Sequence, residues 1–86
     1  MKLNKNFLIH NTKNETVIVP TGKADFSGIV RGNSTLGVIL ELLQKDITEE
    51  EIIKALEKEY DAPKEVIRDD VIETLDRLRK IGAIDD

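Results

Sequence analysis

The chain has 86 residues, 40% of them apolar and 35% charged, no cysteine, and a formal net charge of −4. A chain of this length buries about 60% of the surface that its unfolded form exposes, which leaves room for one modest core and argues against a multidomain enzyme with a large active-site cavity. Without cysteine there is no disulfide framework, thiolate nucleophile or cysteine zinc site, and the longest apolar stretch, Leu36 to Leu40 with Gly37 counted, falls far short of the ~20 residues that a membrane span needs.

The first residues, MKLNKNFLIHN, hold an apolar run of only Phe7, Leu8 and Ile9, too short for a secretion signal, so the expected setting is the cytoplasm. Phe7 to His10 and Thr16 to Val19 read as two strands joined by a hairpin loop over Asn11 to Asn14. Pro20 lacks an N–H and ends the second strand. After a turn at Thr21 to Lys23, a third extended segment is expected from Phe26 to Arg31, closed by Gly32 and Asn33.

Three helices follow. Asn33 or Ser34 caps the first, which is expected to reach Gln44 and to bury Leu36, Ile39, Leu40 and Leu43, with Val38 and Leu42 widening that face. Gly37 costs this helix roughly 1 kcal/mol relative to alanine; a close backbone approach would account for it. Thr48 and Glu51 match a capping box, and Glu49, Glu50 and Glu51 suit the positive end of the second helix dipole. Ile52, Ile53, Leu56 and Tyr60 supply its apolar face. Pro63 fits the first turn of the third helix, whose stripe Ile67, Val71, Leu75 and Leu78 recurs at spacings of 4, 4 and 3. Gly82 is placed to end it, Arg77, Arg79 and Lys80 suit its C-terminus, and Ile84 can fold back onto the core. The expected fold is a small α+β domain of winged helix-turn-helix type, residues 1–86: a two- to three-stranded antiparallel sheet over about residues 6–31, then three helices over about 34–81.

Catalytic chemistry finds little support. His10 is the only histidine and has no cysteine or second histidine to complete a metal or nucleophile site. Asp69–Asp70 and Asp85–Asp86 are adjacent carboxylates, and adjacent helical residues point in different directions. Gly22, Gly28, Gly32 and Gly37 match no phosphate-binding spacing. No catalytic residue, metal or cofactor is expected.

Binding remains. Three helices and a strand pair also describe a winged helix that reads DNA. However, residues 34–86 carry eight Lys/Arg against fifteen Asp/Glu, and the third helix balances five basic against five acidic side chains with Asp69, Asp70, Glu73 and Asp76 through its middle. That distribution suits a phosphate backbone poorly. The other mode is strand addition, in which an extended peptide joins an open sheet edge through backbone hydrogen bonds. The segment Gly28 to Gly32 is expected at such an edge. On the third helix, at ~100° per residue, Ile72 lies about a quarter turn off the buried stripe with Arg68 and Arg79 on the same flank and Asp76 nearby. That flank either lines a groove for an amphipathic or acidic peptide or merely widens the core face beside solvated arginines.

The order of these features resembles the PqqD family, the peptide chaperones of pyrroloquinoline quinone biosynthesis, and more broadly the recognition element of ribosomally made, post-translationally modified peptide pathways. The resemblance rests on Phe26-Ser27-Gly28-Ile29-Val30, Asn33-Ser34-Thr35, Glu41-Leu42-Leu43, Thr48 to Ile52, Glu59-Tyr60-Asp61, and Asp70-Val71 leading to Leu75, Leu78 and Gly82-Ala83-Ile84, about two-thirds of the chain. It implies a non-enzymatic adaptor that binds the leader of a precursor peptide between the third strand and the third helix and presents it to a modifying enzyme, often a radical S-adenosylmethionine enzyme. The strand side would be Ile29, Val30 and Arg31 with Gly28 before them; Arg68, Ile72, Asp76 and Arg79 are the helix side that periodicity suggests. No nucleic acid or membrane partner is expected, and the chain would be a monomer or a weak edge-paired dimer. The alternatives are a winged-helix DNA-binding regulator and a scaffold or inhibitor that touches only a partner enzyme.

Overall fold

In the computed structural model, which describes residues 1–13, 15–22 and 28–86, the element order is β1 (Lys2–Leu3), β2 (Phe7–Asn11), β3 (Thr16–Pro20), β4 (Val30–Gly32), α1 (Ser34–Leu42), α2 (Glu49–Glu59), α3 (Lys64–Lys80) and β5 (Ile84–Asp85). Strands β2, β3 and β4 form an antiparallel sheet in that spatial order, and β1 pairs with β5 in a separate two-stranded ladder. The expected α+β architecture, a two- to three-stranded antiparallel sheet followed by three helices, is the observed one, with three strands in that sheet.

The hairpin register runs from Phe7↔Pro20 to Asn11↔Thr16. Side chains alternate across it, as a strand requires: Phe7, Thr16 and Ile18 are buried while Leu8 and His10 are exposed. The loop begins one residue later than expected because Asn11 pairs with Thr16 in the ladder and its Oδ1 accepts from the Thr16 hydroxyl at 2.8 Å. Asn14, within that loop, lies outside the described residues.

The third segment is shorter than expected. Phe26 and Ser27 lie outside the described residues, and Gly28 adopts a φ of 127°, so the strand starts only at Val30. A backbone turned into the positive-φ region cannot continue a β ladder. Val30 pairs with Ile18 and Gly32 with Thr16, which leaves the other edge of β4 without a strand partner among the described residues.

Asn33 caps α1, its Oδ1 accepting from the Leu36 N–H at 3.3 Å. The helix stops at Leu42 rather than Gln44, because the Gln44 N–H turns to the Glu41 carbonyl in a tighter final turn. Gly37 marks the close approach: a Cβ there would stand 2.6 Å from the Thr16 hydroxyl oxygen. The full capping box forms at α2, with the Glu51 N–H on Thr48 Oγ1 at 3.2 Å and the Thr48 N–H on Glu51 Oε1 at 3.1 Å. Pro63 sits just before α3 instead of in its first turn; its ψ of 140° is extended, and its carbonyl accepts the Ile67 N–H. At the other end Gly82 takes φ 78°, its N–H reaching the Arg79 carbonyl and the Ala83 N–H the Leu78 carbonyl, the paired bonds of a Schellman termination.

The core joins Phe7 and Ile18 of the sheet to Leu36, Ile39, Leu40 and Leu43, to Ile52, Ile53 and Leu56, to the α3 stripe Ile67, Val71, Leu75 and Leu78, and to Ala83 and Ile84. Every residue of the three expected helical stripes is buried except Tyr60, which packs partly exposed against the cluster. Ile84 does return to the core, and it does so as a strand opposite Leu3. On the surface, Arg68 of α3 bonds Glu50 of α2 at 2.8 Å. That hydrogen bond, and then the guanidinium charge, hold the Glu50 carboxyl below its ordinary value.

Thr48→Ala should therefore cost about 1 kcal/mol, a fall in Tm of roughly 4–8 °C for a domain of this size, measured by thermal unfolding; Glu51→Ala added to it should cost little more, since one reciprocal device is already lost. Arg68→Ala should let the Glu50 carboxyl titrate nearer its ordinary pKa in an NMR pH series. Because the folded-state pKa of Glu50 is depressed, whatever stability the pair adds is present above the carboxylate range and lost as pH falls through it, so wild type and variant should converge on acidification.

Candidate functional site

The end of β4 and the start of α1 face one flank of α3 across a surface trough. Gly32, Asn33, Thr35 and Leu36 form one wall, and Asp70, Glu73, Thr74 and Arg77 the other, around a cavity of about 250 Å³. A second cavity of about 140 Å³ continues it toward the N-terminus of α3, lined by Leu56, Tyr60, Ala62, Val66 and Ile67, and shares Thr35 and Asp70 with the first. The trough is thus polar beside β4 and apolar where α2 ends.

Helix geometry explains why these side chains converge. With the stripe Ile67, Val71, Leu75 and Leu78 buried, rotation by ~100° per residue puts Val66, Asp70, Thr74 and Arg77 together to one side of it. Asp70, Glu73 and Arg77 form no ion pair or side-chain hydrogen bond with another described residue, so their charges are available to an incoming group.

The sequence-expected residues divide into two groups. Gly28 and Ile29 lie just before β4 and are exposed, Ile29 by 56%. Val30 turns inward against the core, and Arg31 turns outward, 3.9 Å from Glu15. These four approach the open edge as expected. Arg68, Ile72, Asp76 and Arg79 do not line the trough: they lie on the opposite flank of α3. There Arg68 is held by Glu50, while Arg79 pairs with Asp76 at 3.5 Å and with Asp86 at 3.3 Å. Ile72 remains 37% exposed, outside the core cluster.

The physical reason is a symmetry of the helix. Two flanks border any buried stripe at equal angles, and the spacing of the stripe does not say which one faces the sheet. The packing of α2 decides it, with Glu50 meeting Arg68 and Glu57 meeting Lys64. One signal on the trough flank was present in the sequence: Val66, an apolar residue off the stripe, is 49% exposed, while Ile72 on the other flank is 37% exposed.

His10 lies exposed on the outer sheet face opposite Val17. Among the described residues no group of three or more His, Cys, Asp or Glu is arranged to hold a metal, and no helix is long and apolar enough to cross a membrane.

Two solved structures share this fold. One is TbiB1 in complex with the TbiA(beta) leader peptide, 20% identical, with a TM-score of 0.75, 99% of this chain covered and 100% of that one. The other is lasso peptide synthetase B1 complexed with the leader peptide, 16% identical, also with a TM-score of 0.75, covering 95% of this chain and 93% of that one. No curated protein sequence matches the chain. The family model described as coenzyme PQQ synthesis protein D (PqqD) matches residues 15–84, which extends the likeness expected from Phe26 onward back over β3. With that model spanning β3, β4, all three helices and Ile84, the chain belongs to the PqqD family.

Proposed function

We propose that residues 1–86 act as one non-catalytic peptide-recognition domain that binds the leader of a ribosomally made precursor peptide as a strand added to β4, and presents it to a modifying enzyme. The observation that carries this reading is the unpartnered edge of β4 lying beside the trough on α3. An edge strand offers a row of free N–H and C=O groups, and neighbouring pockets for alternate side chains give such additions their specificity. Membership of the PqqD family supports it, as does the fold shared with two proteins captured with leader peptides. The modifying enzyme is a radical S-adenosylmethionine enzyme in this reading, the pathway that of pyrroloquinoline quinone or a related modified peptide, and the setting the cytoplasm. The domain is a monomer or a weak edge-paired dimer, in which pairing competes with the peptide for the same edge.

The strand side of the site is Ile29, Val30 and Arg31, with Gly28 before them; the helix side is the flank that carries Val66, Asp70, Glu73, Thr74 and Arg77. Three strand residues supply only a few backbone hydrogen bonds, each worth about 1 kcal/mol net. Micromolar binding needs about 8 kcal/mol, so side chains seated in the trough must contribute the larger part. DNA reading is disfavoured by the outer surface of α3, where Asp69, Asp70, Glu73 and Asp76 are exposed.

Amide-resolved NMR titration with the leader peptides encoded beside the gene checks this. Shifts should concentrate at residues 28–32 and at Val66, Asp70, Glu73, Thr74 and Arg77 and saturate at micromolar peptide, and proline placed within the pairing segment should weaken binding about tenfold by removing a ladder donor. Shifts centred on Arg68, Ile72 and Arg79 with β4 silent would move the peptide to the opposite flank. Silence with every encoded leader would overturn the adaptor reading.

A further inference from the structure

The two cavities differ in chemistry, and their order along α3 encodes a preference. The smaller one is walled by aliphatic and aromatic surface from Leu56, Tyr60, Val66 and Ile67. Its volume, about 140 Å³, is close to that of an apolar cavity that takes up a benzene ring, ~150 Å³. One leucine, isoleucine, methionine or phenylalanine side chain fills such a space. Val66 is half exposed at its mouth and gains most from being covered.

Asp70 stands at the junction, since it lines both cavities, and Glu73 follows it along the wall of the larger one. Both carboxylates lack a cationic partner among the described residues, Arg77 included. Val66 and Asp70 are separated by four residues of helix, a rise of ~6 Å at 1.5 Å per residue. Side chains two apart on one face of an extended peptide are separated by ~6.6 Å. The two repeats therefore match: when residue i of the peptide fills the apolar cavity, residue i+2 arrives beside Asp70 and Glu73. Arg77 lines the same cavity, so the two carboxylates leave its charged lining one negative charge in excess.

Resting on the peptide-binding reading above, we propose that this domain selects leaders that carry a large apolar residue followed or preceded at two residues' distance by lysine or arginine, the apolar side chain seated against Tyr60 and Val66 and the cation against Asp70 and Glu73. The site is a specificity filter on strand addition. The backbone of β4 binds any extended segment, and the trough rejects those that would leave the two carboxylates facing an acid or the cavity unfilled.

A displayed library of random peptides panned on the whole chain, followed by fluorescence polarisation with the enriched peptides, tests this. The wild-type chain should enrich an apolar residue and a Lys or Arg two positions apart. Asp70→Lys/Glu73→Lys should weaken those peptides about tenfold by setting like charges together, and replacing the peptide cation with glutamate should restore binding to that variant. Val66→Ser should weaken the same peptides while leaving the charge preference intact. Both sites are on the exposed helix surface, and an unchanged amide spectrum will establish that each variant folds. Affinity should also fall as salt rises. Enrichment of peptides that bind at β4 without the paired residues, or affinities indifferent to the charge reversal, would overturn the filter and leave the adaptor reading standing. Absence of any enriched peptide would remove both.

Discussion

Burial of the single apolar stripe on α3 is the interaction from which the rest of the molecule takes its arrangement. Ile67, Val71, Leu75 and Leu78 are all buried, and complete burial of such side chains is worth about 1.5–3 kcal/mol each. Together that rivals the ~5–15 kcal/mol by which a whole domain is normally stable. No register or rotation of α3 that exposes the stripe can therefore compete. Once it is buried, the two flanks are committed: one carries Arg68, paired with Glu50 of α2, and the other lines the trough beside β4 and the end of α2.

A second constraint brings the sheet to the same place. Helix α1 crosses the inner face so closely that neither Gly37 nor Gly32 has room for a side chain: a Cβ at Gly37 would crowd Thr16, and one at Gly32 would stand 2.9 Å from the Leu36 Cβ. The contact at Gly37 fastens α1 to β3, and the contact at Gly32 fastens it to the end of β4. The strand edge and the helix flank thus belong to one packed unit, and the trough between them is a product of core packing and not of a loop. The helix-propensity loss at Gly37, about 1 kcal/mol, is the cost of that approach.

An exposed strand edge ordinarily endangers a protein by inviting pairing with other chains. Here β4 is only three residues long, with Arg31 exposed on its outer face. Brevity and charge limit indiscriminate pairing. The two-stranded ladder is tied down differently: β1 and β5 pair, Leu3 N–H meets the Leu43 carbonyl, and Asn4 N–H meets that of Ala83.

What the sequence determined by itself was most of what is local and periodic. The hairpin strands, the Asn33 and Thr48 caps, the Gly82 termination, the three buried stripes and the position of the third strand at the sheet edge all follow from interactions among residues a few positions apart, or from apolar spacing. Even the family was legible, because order and spacing of caps, turns and core residues survive where chemistry-bearing motifs are missing. Tertiary structure decided three things. It shortened the third strand to Val30–Gly32 by the turn at Gly28; it joined Leu3 to Ile84, a pair 81 residues apart with no local signal; and it chose which flank of α3 lines the trough. The last choice decides which side chains lie beside β4. A helical stripe is mirror-symmetric in its spacing, so periodicity finds the buried face but not its neighbours, and only the packing of α1 and α2 around α3 sets Asp70, Glu73 and Arg77 beside the strand while Arg68, Ile72, Asp76 and Arg79 face away from it.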